Sequence, residues 1–411
     1  MKYLTKPKII KINKTNKVII KLLFYCDYNK KNIVKSELLR RILLVSNNKY
    51  KNPTDLFKKI QDLSIIDYNI SFKATINKII IDFSMVLPKN NIIENYNLEE
   101  CIKLLHDNIF NPNIDKNEFE LKRYNKEKEY LYNYNVNFPS NISDVLSLES
   151  CNMINEIENI YITNDEYLKI LNELTSKELY NFYRKIIKNN NYITYIYGNI
   201  TNEEEIFNKY FKQNKEYIEI NNKFYKPLKF VEFKRKEVQT NYNQTILKLV
   251  YQIKKIKPKD KDIFTMLYFF LYSRENDLIF DNLRNKNKLI YSSNVSLIFD
   301  RSYLNISIYL DKKDIEKSKK IINETINNIK IESNFNIYKE RLLKALKYDV
   351  LEMEDNNYKR INRILSKQIN NEDSLDKKYK MIDNISFKDM CDLIERLYLT
   401  RELIILGGNN D

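Results

Sequence analysis

The sequence predicts an α+β protein of two related domains, each a largely antiparallel sheet with helices packed on one face. Three observations carry that expectation. The order of strands and helices in the first half of the 411-residue chain returns in the second half, as duplication of one unit produces. Strand segments in both halves alternate apolar with mixed residues, the period of two that buries one face of a sheet. The only three glycines, Gly198, Gly407 and Gly408, fall at the ends of the two closing strands, where the backbone can need positive φ.

The first half begins with a strand at 17–24, a helix at 35–45 and a second helix at 54–63, followed by strands. Ile79, Ile81, Phe83, Met85 and Leu87 alternate with mixed neighbours, so one face of that strand meets a core. The segment LEECIKLLHDNIF puts Leu98, Ile102, Leu105 and Ile109 on one helical face and is stopped by Pro112. A longer charged helix is expected from about Asn117. The half closes on LTSKELYNFYRKII, where Thr175 and Glu178 form a capping pair ahead of a helix, and then on YITYIYG.

The second half repeats the order. A strand at 245–251 leads to an apolar helix at 262–272, a helix through 278–283, and strands in which Leu304, Ile306, Ile308 and Leu310 alternate with Tyr303, Asn305, Ser307 and Tyr309. A helix at 314–329 and a longer one from 336 follow. The close is again a capping pair, Ser386 and Asp389 in ISFKDMCDLIERLY, and a strand ending LIILGG. Runs of helices beside antiparallel strands imply sheets with helices on one face. The expected domains are 1–215 and 240–411, joined by a polar linker at 216–239 that holds Pro227.

Seventy Lys and Arg against 55 Asp and Glu give a net charge of +15. These charges are spread through every segment instead of being gathered around a stacking platform or groove. They read as solvated faces, and no nucleic-acid interface is expected. Cys26, Cys101, Cys151 and Cys391 are far apart and form no CxxC pair, which argues against a zinc ribbon and a dense disulfide framework. The apolar stretch 18–26 is cut by Lys21 and lacks a small-residue cleavage site. The longest uncharged apolar run, 263–272, is about half of what crosses a bilayer. A soluble, cytoplasmic protein without membrane association is expected.

One stretch stands apart from this background. LIFDNLRNKNKLIY, 278–291, starts as an apolar helix end, passes through five polar residues and resumes as an extended run. Arg284 and Tyr291 bracket the joint. Taken alone, the arginine is a cation favoured at a helix C-terminus and the tyrosine a good first strand residue. In context, the stretch is similar to the second-domain signature L-F-x-x-L-R-x-x-x-x-L-x-Y of the pitrilysin and insulysin type of metallopeptidase, the inverzincins. Ile279 stands where the signature opens on Leu, while Phe280, Leu283 and Leu289 match it. The segments 98–123 and 174–200 also resemble that family's first domain, so the resemblance covers nearly the whole chain.

The resemblance implies one half of a clam-shell peptidase, and it implies that Arg284 and Tyr291 contact substrate peptide near the scissile bond. Active members carry H-x-x-E-H on the first helix: two histidines bind zinc, the glutamate activates water, and a glutamate further along completes the ligands. Placed on this chain, that motif falls at Glu37, Leu38, Leu39, Arg40 and Arg41. Both histidines and the general base are missing, and arginine cannot be deprotonated to bind a metal. The one histidine, His106, lies in the helix after the strands, where a surface role is expected. No metal or cofactor is expected in this chain.

The resemblance thus implies a non-catalytic subunit of a heterodimeric zinc peptidase, a pseudo-peptidase whose active site is shared with an H-x-x-E-H partner that carries the zinc. Peptide is the implied substrate. Tyr291 would stabilise the oxyanion and Arg284 would hold a peptide carbonyl. The alternative is a purely structural or assembly homologue, as some relatives in respiratory complexes are.

Overall fold

The computed structural model describes the chain apart from residues 1, 4–6, 13–14, 76, 90–91, 95, 188–191, 212–217, 220–224, 275, 356–362, 364–373 and 409–411. Residues 216–217 and 220–224 of the expected linker at 216–239 therefore lie outside the described residues. Two compact units emerge: 1–138 with 164–222, and 139–163 with 223–411.

The sheet of the first unit contains β1 (Lys8–Lys11), β2 (Lys17–Asp27), β3 (Asp67–Ala74), β4 (Lys78–Pro88) and β5 (Tyr192–Gly198) in the order β1-β5-β2-β4-β3. The sheet of the second unit contains β6 (Lys234–Gln239), β7 (Thr245–Ile253), β8 (Ile290–Ile298), β9 (Tyr303–Leu310) and β10 (Leu397–Leu406) in the order β6-β10-β7-β9-β8. The second order is the first displaced by five. In each sheet only the first pair, β1 with β5 and β6 with β10, runs parallel; the other pairs are antiparallel. An α+β protein of two like sheets is thus the observed fold.

The helices of the first unit are α1 (Lys30–Val45), α2 (Pro53–Asp62), α3 (Leu98–Phe110), α4 (Leu121–Val136), α6 (Asn164–Glu173), α7 (Ser176–Ile187) and α8 (Glu203–Tyr210). Those of the second are α5 (Ile142–Asn155), α9 (Asp260–Leu271), α10 (Leu278–Phe280), α11 (Ile315–Asn328), α12 (Glu332–Asp355), α13 (Leu375–Asp383) and α14 (Phe387–Glu395). Local chemistry starts the closing helices as the sequence indicates. The Thr175 hydroxyl accepts from the Glu178 amide while the Glu178 carboxylate accepts from the Thr175 amide, each at 3.2 Å. Ser386 and Asp389 make the same reciprocal box at α14. Gly198 ends β5 at φ +130°, and a Cβ there would lie 2.1 Å from the Lys17 carbonyl oxygen, so no other residue fits.

In β4 the alternating residues Ile79, Ile81, Phe83, Met85 and Leu87 are all buried, as the period of two predicts. In β9 Leu304, Ile306, Ile308 and Leu310 are buried against the helices of the second unit, but Tyr303, Asn305 and Ser307 are buried as well. The cause is α5. Its Val145, Met153 and Ile154 pack with Ile246, Val250, Tyr303, Leu403 and Ile405 on the other face of the sheet, and the Tyr161 and Tyr303 hydroxyls meet at 2.9 Å. The second sheet is therefore covered on both faces, beyond the one-sided packing expected. The observed division differs from the expected boundaries 1–215, 216–239 and 240–411 in two places: 139–163 belongs with the second unit, and 234–239 is a strand of the second sheet.

Candidate functional site

The joint at 278–291 has a backbone built for display. Asp277 caps α10 by accepting from the Phe280 amide at 3.1 Å. The chain then widens into a π-helical turn, Asp281–Lys286, a form that recurs at functional sites. Leu283 is fully buried and anchors the turn. The Leu289 amide reaches back to the Leu283 carbonyl at 2.9 Å, and Lys288 turns the chain with φ +55°. Strand β8 then begins at the edge of the sheet. Its pairing with β9 skips from Ile290 to Ser292, so Tyr291 sits in a bulge, a device that re-aims a side chain.

Both candidate side chains reach solvent. Arg284 is exposed and donates from Nη1 to the Ile290 carbonyl at 2.9 Å, stapling helix end to strand start. Tyr291 is 51% exposed, and its hydroxyl donates to Asp311 Oδ1 at 2.8 Å. Asp311 is the principal reason the phenol pKa is raised; Asp314 adds to the effect and Arg284 opposes it.

On α1, at the positions where the zinc motif was placed, Glu37 accepts from the Tyr167 hydroxyl at 2.8 Å and lies 3.9 Å from Arg40. Arg41 engages α4: its Nη2 lies 2.8 Å from Glu127 Oε2 and its Nε donates to the same oxygen at 3.0 Å. The other Glu127 oxygen accepts from Arg123 at 3.3 Å, and the Arg41 guanidinium stacks 3.7 Å above the Tyr130 ring. Glu127 is nearly buried, so these cations supply the compensation a buried carboxylate requires. The sequence reading did not single out Glu127. Only its position four residues after Arg123 on a charged helix marks it, and other acids share that setting.

His106 is half-buried on α3, its ring 4.9 Å from Phe110 and 5.4 Å from Phe211, and burial lowers its pKa. Packing among aromatic rings replaces the surface role expected for it. Among the described residues no group of three or more His, Cys, Asp and Glu side chains is placed to hold a metal. The four cysteines are free, and burial pushes the Cys26 and Cys101 thiols up to about 11, away from the thiolate that nucleophilic chemistry needs. No helix among the described residues is long and apolar enough to cross a membrane.

Residues 173–342 match the model of the peptidase M16 inactive domain. No curated protein matches the chain in sequence. Solved structures match it along its whole length. A conserved protein from Enterococcus faecalis V583 superposes with TM-score 0.77 at 20% identity, covering 98% of this chain and 96% of that one. The peptidase M16 inactive domain from Pseudomonas fluorescens gives 0.66 at 11% identity, covering 100% and 98%. The periplasmic protease PqqL from Escherichia coli gives 0.70 at 11% identity, covering 99% of this chain but 47% of that one. The part of the chain at 173–342 thus carries the sequence match to the peptidase M16 inactive domain, the whole chain shares its fold with these structures, and its first helix holds no histidine.

Proposed function

We propose that the chain is the non-catalytic subunit of a heterodimeric zinc metallopeptidase. It contributes Arg284 and Tyr291 to a peptide-binding chamber whose zinc and general base come from an H-x-x-E-H partner. One contrast carries the reading. The joint that bears Arg284 and Tyr291 is built in full and presents both side chains to solvent, while the first helix carries Glu37, Arg40 and Arg41 at the zinc-motif positions, with Arg41 committed to Glu127. The alignment with about half of a larger protease supports a role for such a unit as one half of a working enzyme.

In this reading the partner's zinc-bound water attacks the peptide carbonyl, Tyr291 donates to the oxyanion and Arg284 holds a backbone carbonyl of the substrate. The peptide main chain adds to an exposed sheet edge, which makes recognition tolerant of sequence. The complex works in the cytoplasm, without nucleic acid or membrane, and this chain binds no cofactor of its own. The test is co-purification from the native host with metal analysis, then kinetics of the assembled complex. A partner bearing H-x-x-E-H, one zinc per heterodimer and peptide cleavage that fails without this chain are the expected results.

A second reading, a structural or assembly homologue with no part in proteolysis, draws on the bonds already made inside the chain: Arg284 to Ile290 and Tyr291 to Asp311. Turnover that does not depend on either side chain would favour it.

A further inference from the structure

The Tyr291 hydroxyl has one proton to give, and in this structure it is given to Asp311. A phenol that stabilises an oxyanion must donate that same proton to substrate. We propose that Asp311 is a positioning residue: it holds Tyr291 in a resting orientation, and the phenol leaves it for the peptide only as negative charge develops on the carbonyl oxygen. This inference rests on the peptidase reading above.

The surrounding geometry confines the exchange to one side chain. Asp311 follows the last residue of β9 and precedes the turn Lys312–Asp314, while Tyr291 occupies the bulge on the neighbouring strand β8. The backbone of the joint is fixed by the Arg284 bond to Ile290 and by the Leu289 bond to Leu283. The phenol is exposed and free of the ladder, so it can change acceptor by rotating its own bonds. A carboxylate outcompetes a neutral peptide carbonyl for a donor, because bonds to charged acceptors are the stronger ones. Against a tetrahedral oxyanion that advantage disappears. Asp311 therefore discourages the bond to bound substrate and leaves the bond to the transition state, at the cost of one contact broken on the way. Asp311 also raises the phenol pKa, which makes Tyr291 a weaker donor while the two are paired.

The experiment has two arms. In the first, the chain alone is labelled with Cζ-¹³C-tyrosine and titrated by NMR, and the Tyr291 resonance is assigned by its loss in Tyr291→Phe. Asp311→Asn is expected to lower the titration midpoint of Tyr291, and an unchanged midpoint overturns the proposal without touching the peptidase reading. In the second, complexes reconstituted with the co-purified H-x-x-E-H partner are assayed on an internally quenched peptide that the wild-type complex cleaves. Asp311→Asn and Asp311→Ala are expected to raise kcat/KM by about two- to fivefold, the worth of an exposed charged contact, with Ala the larger. In a Tyr291→Phe background neither should change it. Loss of turnover in Tyr291→Phe with no gain, or a fall, in the Asp311 variants overturns the resting-state role alone. Full turnover in Tyr291→Phe overturns the peptidase reading, and the role of Asp311 with it.

Discussion

A hydroxyl is the smallest thing that can be removed from Tyr291, and its removal separates chemistry from packing. Tyr291→Phe in the assembled complex is expected to cut kcat by about 100-fold to 1,000-fold, as loss of one oxyanion donor does, with assembly and melting temperature unchanged. Arg284→Ala should raise KM as well, and it should also cost some stability, because the arginine staples the π-turn to β8 through Ile290. Steady-state kinetics with matched melting curves check both; wild-type constants in the two variants would make the pair structural. At the other site, Arg41→Leu withdraws a cation from Glu127, which retains Arg123. The expected cost is about 1.5–3 kcal/mol, the usual worth of a hydrogen bond to a charged group, read as a shift in the urea midpoint of the chain alone. The sequence singled out Arg284 and Tyr291 through the resemblance of their joint to a family signature. It did not mark Asp311 or Glu127, because each is one acid among 55 Asp and Glu and its partner lies on another element.

At the scale of elements, legibility followed how local the determining forces are. The buried set Ile79, Ile81, Phe83, Met85 and Leu87 of β4 and the capping boxes at Thr175 and Ser386 are set within a few residues, and the structure contains them where the pattern placed them, whereas in β9 the intervening residues are buried as well. Helix α5 is different. It sits in sequence inside the first half, yet its partners Val250, Tyr303 and Leu403 are at least 95 residues further on, and no local pattern announces such an allegiance. Under α5 lies Lys248 of β7, whose ammonium donates to the Ser150 hydroxyl at 2.8 Å. Burial pulls its pKa down to about 8 from an ordinary value of 10.5. Between those values the unfolded chain holds a proton that the folded chain has released, so stability contributed through this group rises with pH across that window and is lowest below it. Lys248→Met is expected to raise stability at pH 7 by up to about 3 kcal/mol. The gain should shrink from about pH 8 toward 10.5. Urea titrations of both proteins at a series of pH values check the sign; a constant difference would show that the amine is charged and solvated in the fold.

At the scale of the whole chain, the two sheets share one strand order, yet the halves have diverged in what they display. In the first half a long helix carrying Glu37 and Arg41 packs against a second helix carrying Glu127, and Arg41 and Arg123 hold that carboxylate. The second half retains the joint of Arg284 and Tyr291. In the proposed reading Tyr291 meets an oxyanion that a nucleophile from a second protein creates, so the joint would function only beside that partner. The isolated chain is accordingly expected to bind no stoichiometric zinc and to cleave no peptide, whereas mixing with the H-x-x-E-H partner should give a stable 1:1 complex with restored turnover. Metal analysis, light scattering and peptide assays on the chain, the partner and the mixture decide it. A zinc held tightly by this chain alone would move the metal site into the first unit. A partner that reaches full activity without this chain would leave Arg284 and Tyr291 as the relics of a joint, with the strand order as the part of the duplication still in use.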